Sequence, residues 1–151
     1  MTVFLSGGAR HGELRAVPSK SMAHRLFILA ASGTAPCEIA CDPLASDLGA
    51  TLGCLRALGA SVSHTDGRVR IEPIRCVPAG EVLLPCGESG TTLRFFLPLA
   101  GSFGTSAVFE RRGRLALRPL EPFVSELKRH GMTIGNEGGV LRCAGQLCGG
   151  E

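Results

Sequence analysis

Apolar positions along the chain switch between helical and strand spacing in a regular order. Between Ser21 and Ser32, Met22, Leu26, Leu29 and Ala30 recur at the spacing of one helix face. Ser21 is placed to cap that helix and Gly33 to stop it. Cys37–Ala40 is a short strand candidate. Ser46 opens a second helix to Leu58, with Leu48, Leu52, Leu55 and Leu58 along one side and Gly59 as its stop. Ala60–His64 and Arg68–Ile71 alternate on either side of Asp66-Gly67, which predicts a hairpin with a tight turn. Ahead of all these, Thr2–Leu5 and Leu14–Val17 read as a short strand pair around a Gly-Gly…His-Gly turn.

The same order then recurs. Ser89–Ala100 reads as a helix, Ser106–Glu110 as a strand and Pro119–His130 as a helix ended by Gly131. Met132–Gly135 and Val140–Cys143 form a hairpin around Asn-Glu-Gly-Gly. Leu55, Gly59, Val62, Gly67 and Val69 reappear 72 positions on as Leu127, Gly131, Ile134, Gly139 and Leu141. The first helices align with a shift of 68, Ser21 with Ser89 and Gly33 with Gly101. Two strand–helix–strand–helix–strand–strand units are therefore expected, over roughly 19–84 and 85–145, in an α/β (α+β) fold. The Gly-rich stretch after Cys143 resembles the beginning of a further unit, so the polypeptide is expected to be a piece of something larger.

Composition narrows the partners. The chain has 151 residues, 44% of them hydrophobic and 19% charged, with a mean hydropathy of +0.23. That is ample material for a core and excludes disorder as the main state. The longest apolar run is Leu26–Ala31, far short of the about 20 residues a membrane span needs. The first residues lack a basic stretch followed by a long apolar one, so no secretory signal is expected, and a cytoplasmic location is the default. A net charge of +3 is too small and too dispersed for a nucleic-acid partner. Lys20 and Lys128 are the only lysines, and the remaining cations are arginines. Arginine forks suit carboxylates and phosphates, although codon usage alone produces the same excess. Seven cysteines without Cys-x-x-Cys spacing point to reduced, half-buried thiols rather than a disulfide framework or a metal site.

Three stretches carry candidate chemistry. In Pro18-Ser-Lys-Ser-Met-Ala-His-Arg25, Pro18 delays the helix, so Lys20 stands at its mouth with the Ser21 hydroxyl and the first free N–H groups. Arg25, one turn on, projects from the same face. A capped helix with two solvated cations is the plain alternative. In Pro85-Cys-Gly-Glu-Ser-Gly-Thr-Thr-Leu-Arg94, a Gly/Ser-rich loop with Glu88, Gly90 and Thr91 feeds a second helix start, and Arg94 lies one turn in. It matches neither the Walker nor the dinucleotide glycine pattern. In Arg111-Arg-Gly-Arg-Leu-Ala-Leu-Arg-Pro119, Arg114 and Arg118 sit in a basic loop that reads equally as a solvated surface.

Taken in order, Ser-Lys-Ser-x-x-His-Arg, Cys-Gly-Glu-Ser-Gly-Thr-Thr-Leu-Arg and Arg-x-x-x-Arg-Pro-Leu closely resemble the N-terminal part of the 5-enolpyruvylshikimate-3-phosphate synthase family, across essentially the whole chain. The resemblance implies an inside-out α/β barrel of repeated βαβαββ units, about two of six being present here. Residues 1–18 would pack with the C-terminal domain, and 19–151 would form an incomplete N-terminal domain. It implies metal-free transfer of the enolpyruvyl group from phosphoenolpyruvate to shikimate 3-phosphate, with no cofactor.

By the same resemblance, Lys20, Ser21 and Arg25 would bind shikimate 3-phosphate, and Lys20, Gly90 and Arg114 phosphoenolpyruvate. Glu88, Thr91, Arg94 and Arg118 are secondary candidates. Glyphosate occupies the phosphoenolpyruvate site in susceptible members, and Glu88 in the loop leaves that response open. The acid and base that the reaction needs belong to the parts not present, so this chain is expected to be inactive alone. Two alternatives remain. One is the related transferase acting on UDP-N-acetylglucosamine, which has Lys-Asn where this chain has Lys20-Ser21. The other is a non-catalytic truncated or split module.

Overall fold

The computed structural model describes residues 2–149 except 5, 10 and 15. Its elements are α1 (Lys20–Ala31), β1 (Cys37–Ala40), α2 (Ser46–Ala57), β2 (Ser61–Thr65), β3 (Arg68–Glu72), β4 (Glu81–Gly87), α3 (Gly90–Ser102), β5 (Ser106–Arg111), a 3-10 helix (Gly113–Leu117), α4 (Phe123–Arg129), β6 (Thr133–Glu137) and β7 (Val140–Ala144). They form two sheets, ordered β1-β3-β2 and β4-β5-β7-β6.

The repeat is structural as well as sequential. In the first sheet Val62 pairs with Ile71 and Cys37 with Ile71. In the second, Ile134 pairs with Cys143 and Ala107 with Cys143. Each hairpin therefore keeps its register across the 72-residue shift, as it must for the same side chains to stay on the core face. Gly59 and Gly131 end their helices at φ +103° and +97°, a conformation closed to most side chains.

The second unit also has β4, parallel to β5 and joined to it through α3. The sequence reading missed this strand because Pro85 and Gly87 interrupt it. Its alternation is nonetheless clear, with Val82, Leu84 and Cys86 buried. Pro85 is tolerated because β4 lies at a sheet edge. The expected boundary at 84/85 thus falls inside β4, and the two units separate between Glu72 and Glu81. The matching place in the first unit, shifted by 68, is 13–19. None of the described residues before Lys20 lies in a strand, in contrast to the expected pair Thr2–Leu5 and Leu14–Val17. Leu5 and Arg15, one in each expected strand, lie outside the described residues.

Four helix details differ from expectation. Ser19, not Ser21, caps α1: its Oγ accepts from the Met22 N–H at 3.4 Å. Pro18 disfavours helix only at the residue before it, so the extended Ser19, directly after it, is free to take the cap. The buried side of α1 is Ala23, His24, Phe27, Ala30 and Ala31, while Met22, Leu26 and Leu29 are exposed. Small residues on that side let α2 approach closely. Ser46 is the first residue of α2 rather than its cap. Finally, α4 starts at Phe123, because Pro119 and Pro122 lack N–H groups and Pro122 disfavours helix at Glu121. Glu121 instead serves the helix start, its Oε2 accepting from the Ser125 N–H at 3.1 Å.

Helix α2 joins the units. Leu48, Leu52, Leu55 and Leu58 are all buried, as their spacing predicts. The helix packs against β2 of its own sheet, β4 of the other, and both α1 and α3. This arrangement carries the starts of α1 and α3 to either side of the start of α2.

Candidate anion site at two helix starts

Lys20 is the first residue of α1. Its Nζ lies 3.2 Å from Oδ2 of Asp47, in the first turn of α2, with both side chains partly exposed. The Ser21 side chain is exposed and its carbonyl accepts from Arg25 Nη1 at 2.7 Å. The Arg25 guanidinium also lies over the Phe95 ring of α3, 5.2 Å from its centre, so one cation spans the two helices.

The second helix start is built the same way. The Ser89 Oγ caps α3 by accepting from the Thr92 N–H at 3.2 Å. Gly90 follows, buried, and a Cβ there would stand 2.9 Å from Arg118 Nη1 and 3.1 Å from Arg94 Nη1. Two guanidiniums thus press against the Gly90 backbone. Arg94 is fixed by bonds from Nη1 to the Gly90 carbonyl (3.4 Å) and from Nη2 to the Pro119 carbonyl (3.3 Å).

Between the loop arginines the structure makes a choice. Arg118 reaches Gly90, whereas Arg114, in the 3-10 helix, is exposed and is not among the atoms nearest Gly90. The reason is local: the 3-10 helix ends at Leu117 and buries Leu115 against the core, which directs Arg118 back to α3. Glu88 lies over this helix, where a Cβ on Gly113 would meet its Oε1 at 2.5 Å; Gly113, at φ +53°, leaves room for it. Thr91 is exposed in the first turn of α3.

A buried polar chain links the two starts, and the sequence reading did not find it. His24 Nδ1 lies 2.7 Å from Thr51 Oγ1, Thr51 Oγ1 2.8 Å from Thr92 Oγ1, and Thr92 Oγ1 2.7 Å from Ser89 Oγ. Thr92 Oγ1 is also 3.3 Å from the Asp47 carbonyl oxygen. Asp47 therefore touches Lys20 with its side chain and Thr92 with its backbone. The only sequence signal for this chain is a hydroxyl at Thr51 on an otherwise apolar helix side. Burial holds the His24 imidazole below its ordinary pKa, with Lys20 and Arg25 acting in the same direction and Asp47 opposing them.

The profile of one known family spans this arrangement. The EPSP synthase (3-phosphoshikimate 1-carboxyvinyltransferase) family model matches residues 6–145, which covers both units and all three motifs. The chain belongs to the EPSP synthase family. It is 32% identical over 153 residues to the 3-phosphoshikimate 1-carboxyvinyltransferase of Clostridium beijerinckii, and 38% over 153 residues to that of a Synechococcus species. Each match covers 95% of this chain and 35% of the relative.

Among solved structures, EPSP synthase from Acinetobacter baumannii superposes with a TM-score of 0.77 at 24% identity, over 90% of this chain and 32% of that one. This likeness establishes the fold, a partial α/β fold of the EPSP synthase kind. The chain spans about a third of the length of the curated relatives it matches. Among the described residues no helix is long and apolar enough to cross a membrane.

Proposed function

We propose that this chain supplies one wall of the substrate site for transfer of an enolpyruvyl group from phosphoenolpyruvate to shikimate 3-phosphate, in the shikimate pathway. The observation that carries the reading is the convergence on Asp47: Lys20 at the start of α1 and Thr92 at the start of α3 both contact it. Two helix N-termini with free N–H groups, a lysine and several arginines suit two substrates that are both anionic. Lys20, Ser21 and Arg25 take shikimate 3-phosphate. Lys20, Gly90 and Arg118 take phosphoenolpyruvate, with Arg118 in the place expected of Arg114. Gly90 is the point at which the backbone itself must approach the ligand.

The chemistry joins the 5-hydroxyl oxygen of shikimate 3-phosphate to C2 of phosphoenolpyruvate while a proton reaches the methylene carbon. Loss of phosphate from C2 of the tetrahedral intermediate, together with a proton from the new methyl carbon, restores the double bond. One acid and one base are needed. Lys20 is engaged with Asp47, and His24 is buried and committed to Thr51. The role of this chain is therefore to bind and orient, with the proton-transfer groups on the remaining portion of the enzyme, in the cytoplasm. Residues 1–18 would pack against that portion. The exposed apolar groove lined by Leu29, Phe95, Pro98, Leu99 and Leu147 supports a chain that works beside a complementary partner rather than alone.

Calorimetry with shikimate 3-phosphate tests the reading. The chain should bind it, and Arg25→Ala should weaken binding by about 10- to 100-fold, the loss of one charge-assisted contact. Unchanged affinity removes Arg25 from the site, and no binding by either protein removes the site.

A further inference from the structure

The chain from His24 to Ser89 has a direction, because each hydroxyl has only one proton to give. We propose that His24 is a positioning residue whose Nδ1 sets that direction, and so decides whether Ser89 donates a hydrogen bond to an anion at the start of α3. The inference rests on the reading of that helix start as a ligand site.

All four members are shielded: His24 is 2% exposed, Thr51 and Thr92 0%, and Ser89 3%. Their spacings of 2.7, 2.8 and 2.7 Å are those of full hydrogen bonds. When Nδ1 carries no proton, Thr51 donates to it, Thr92 donates to Thr51, and Ser89 donates inward to Thr92. When Nδ1 carries the proton, Nδ1–H donates to Thr51 and Thr51 to Thr92, and the Thr92 proton goes to Ser89 Oγ at 2.7 Å in preference to the more distant Asp47 carbonyl at 3.3 Å. Ser89 Oγ then accepts from both the Thr92 N–H and the Thr92 O–H. Both lone pairs are filled, and its own proton is free to point outward.

The ring is able to change state. Among the described residues Nε2 has no hydrogen-bond partner that would pin the tautomer. Lys20 and Arg25 of α1 and Asp47 of α2 set the field around it, and α3 offers the Phe95 ring in an edge contact at 6.4 Å. An anion at the start of α3 draws the Ser89 proton outward. The neutral imidazole answers by holding its proton on Nδ1 instead of Nε2, with three hydroxyls rotating and no net proton taken up.

Nitrogen-15 NMR of the His24 ring at pH 7.5, during titration with phosphoenolpyruvate, tests this, the Gly90 amide reporting occupancy. Nδ1 should begin at an unprotonated-nitrogen shift and move to a protonated one as Gly90 saturates. Thr51→Val, which cuts the chain, should keep the Gly90 response and abolish the change at His24. Should that variant not fold, Ser89→Gly, which preserves a helix cap at small cost, should abolish the His24 change in the same way. A His24 ring that stays fixed while Gly90 saturates overturns the inference and leaves the site intact. An undiminished His24 change in either variant shows a through-space field and overturns it too, as does a free chain with Nδ1 already protonated. If neither Gly90 nor His24 responds, the site reading and the inference fall together.

Discussion

Arg118 Nη1 stands 2.9 Å from the point a Cβ on Gly90 would occupy, and Arg114, four residues earlier, makes no such approach. The two arginines are interchangeable by sequence and not by position. Arg118→Ala should weaken phosphoenolpyruvate binding by about 10- to 100-fold, whereas Arg114→Ala should change it less than about threefold. Calorimetry on the two variants separates them. The opposite ranking would return the role to Arg114.

Gly90→Ala makes a second test of that contact. Gly90 has no positive φ to protect, and the atoms a methyl would meet are the ends of two flexible side chains and Leu115 Cδ1. Stability should therefore change by less than about 1 kcal/mol, while anion affinity falls as the guanidiniums are displaced. Thermal melts and phosphoenolpyruvate titration together read both. A large loss of melting temperature would mean that Gly90 is needed for packing rather than for ligand approach.

His24 should leave a mark on stability against pH. The folded ring has a pKa below the ordinary 6.5, mainly through burial. Above pH 6.5 both folded and unfolded rings are neutral, so stability is insensitive to this group. Below it the unfolded chain takes up a proton that the folded chain resists, and stability falls until the folded pKa is reached. The slope is at most about 1.4 kcal/mol per pH unit. Denaturant midpoints between pH 7.5 and 5.5 should decline less steeply for His24→Gln than for the unaltered chain. Parallel profiles would show that the ring is not held neutral.

The two apolar sides of α1 should behave differently. Phe27 is fully buried, and Phe27→Ala should cost about 3–5 kcal/mol. Leu29 is 67% exposed, so Leu29→Asp should leave stability within about 0.5 kcal/mol. Urea unfolding checks the pair. A strongly destabilised Leu29→Asp would place that residue in the core.

The hairpins and α2 were legible in the sequence because each depends on local rules. A leucine stripe with a glycine stop, and a turn at Asp66-Gly67 with φ of 50° and 70°, need no distant partner to be recognised. The side of α1 that is buried was not legible. Met22, Leu26 and Leu29 form the more hydrophobic stripe, but close approach of α2 selects Ala23, Phe27, Ala30 and Ala31. The α1 cap fell at Ser19, directly after Pro18, and Pro122 shortened α4. The three motifs were readable as strings, and Lys20 and Gly90 do open their helices, with Arg25 a turn further into α1. The long-range links were not readable, since nothing local brings Thr51 to His24, Asp47 to Lys20 or Arg118 to Gly90.

The most direct measurement is an amide NMR titration with shikimate 3-phosphate followed by phosphoenolpyruvate, observing Lys20, Ser21, Gly90 and Thr91. A shared cleft predicts that the first ligand perturbs Lys20 and Ser21, and that the second, added to saturation, perturbs Gly90, Thr91 and again Lys20. Perturbations confined to one helix start, or a Lys20 that ignores phosphoenolpyruvate, would contradict it.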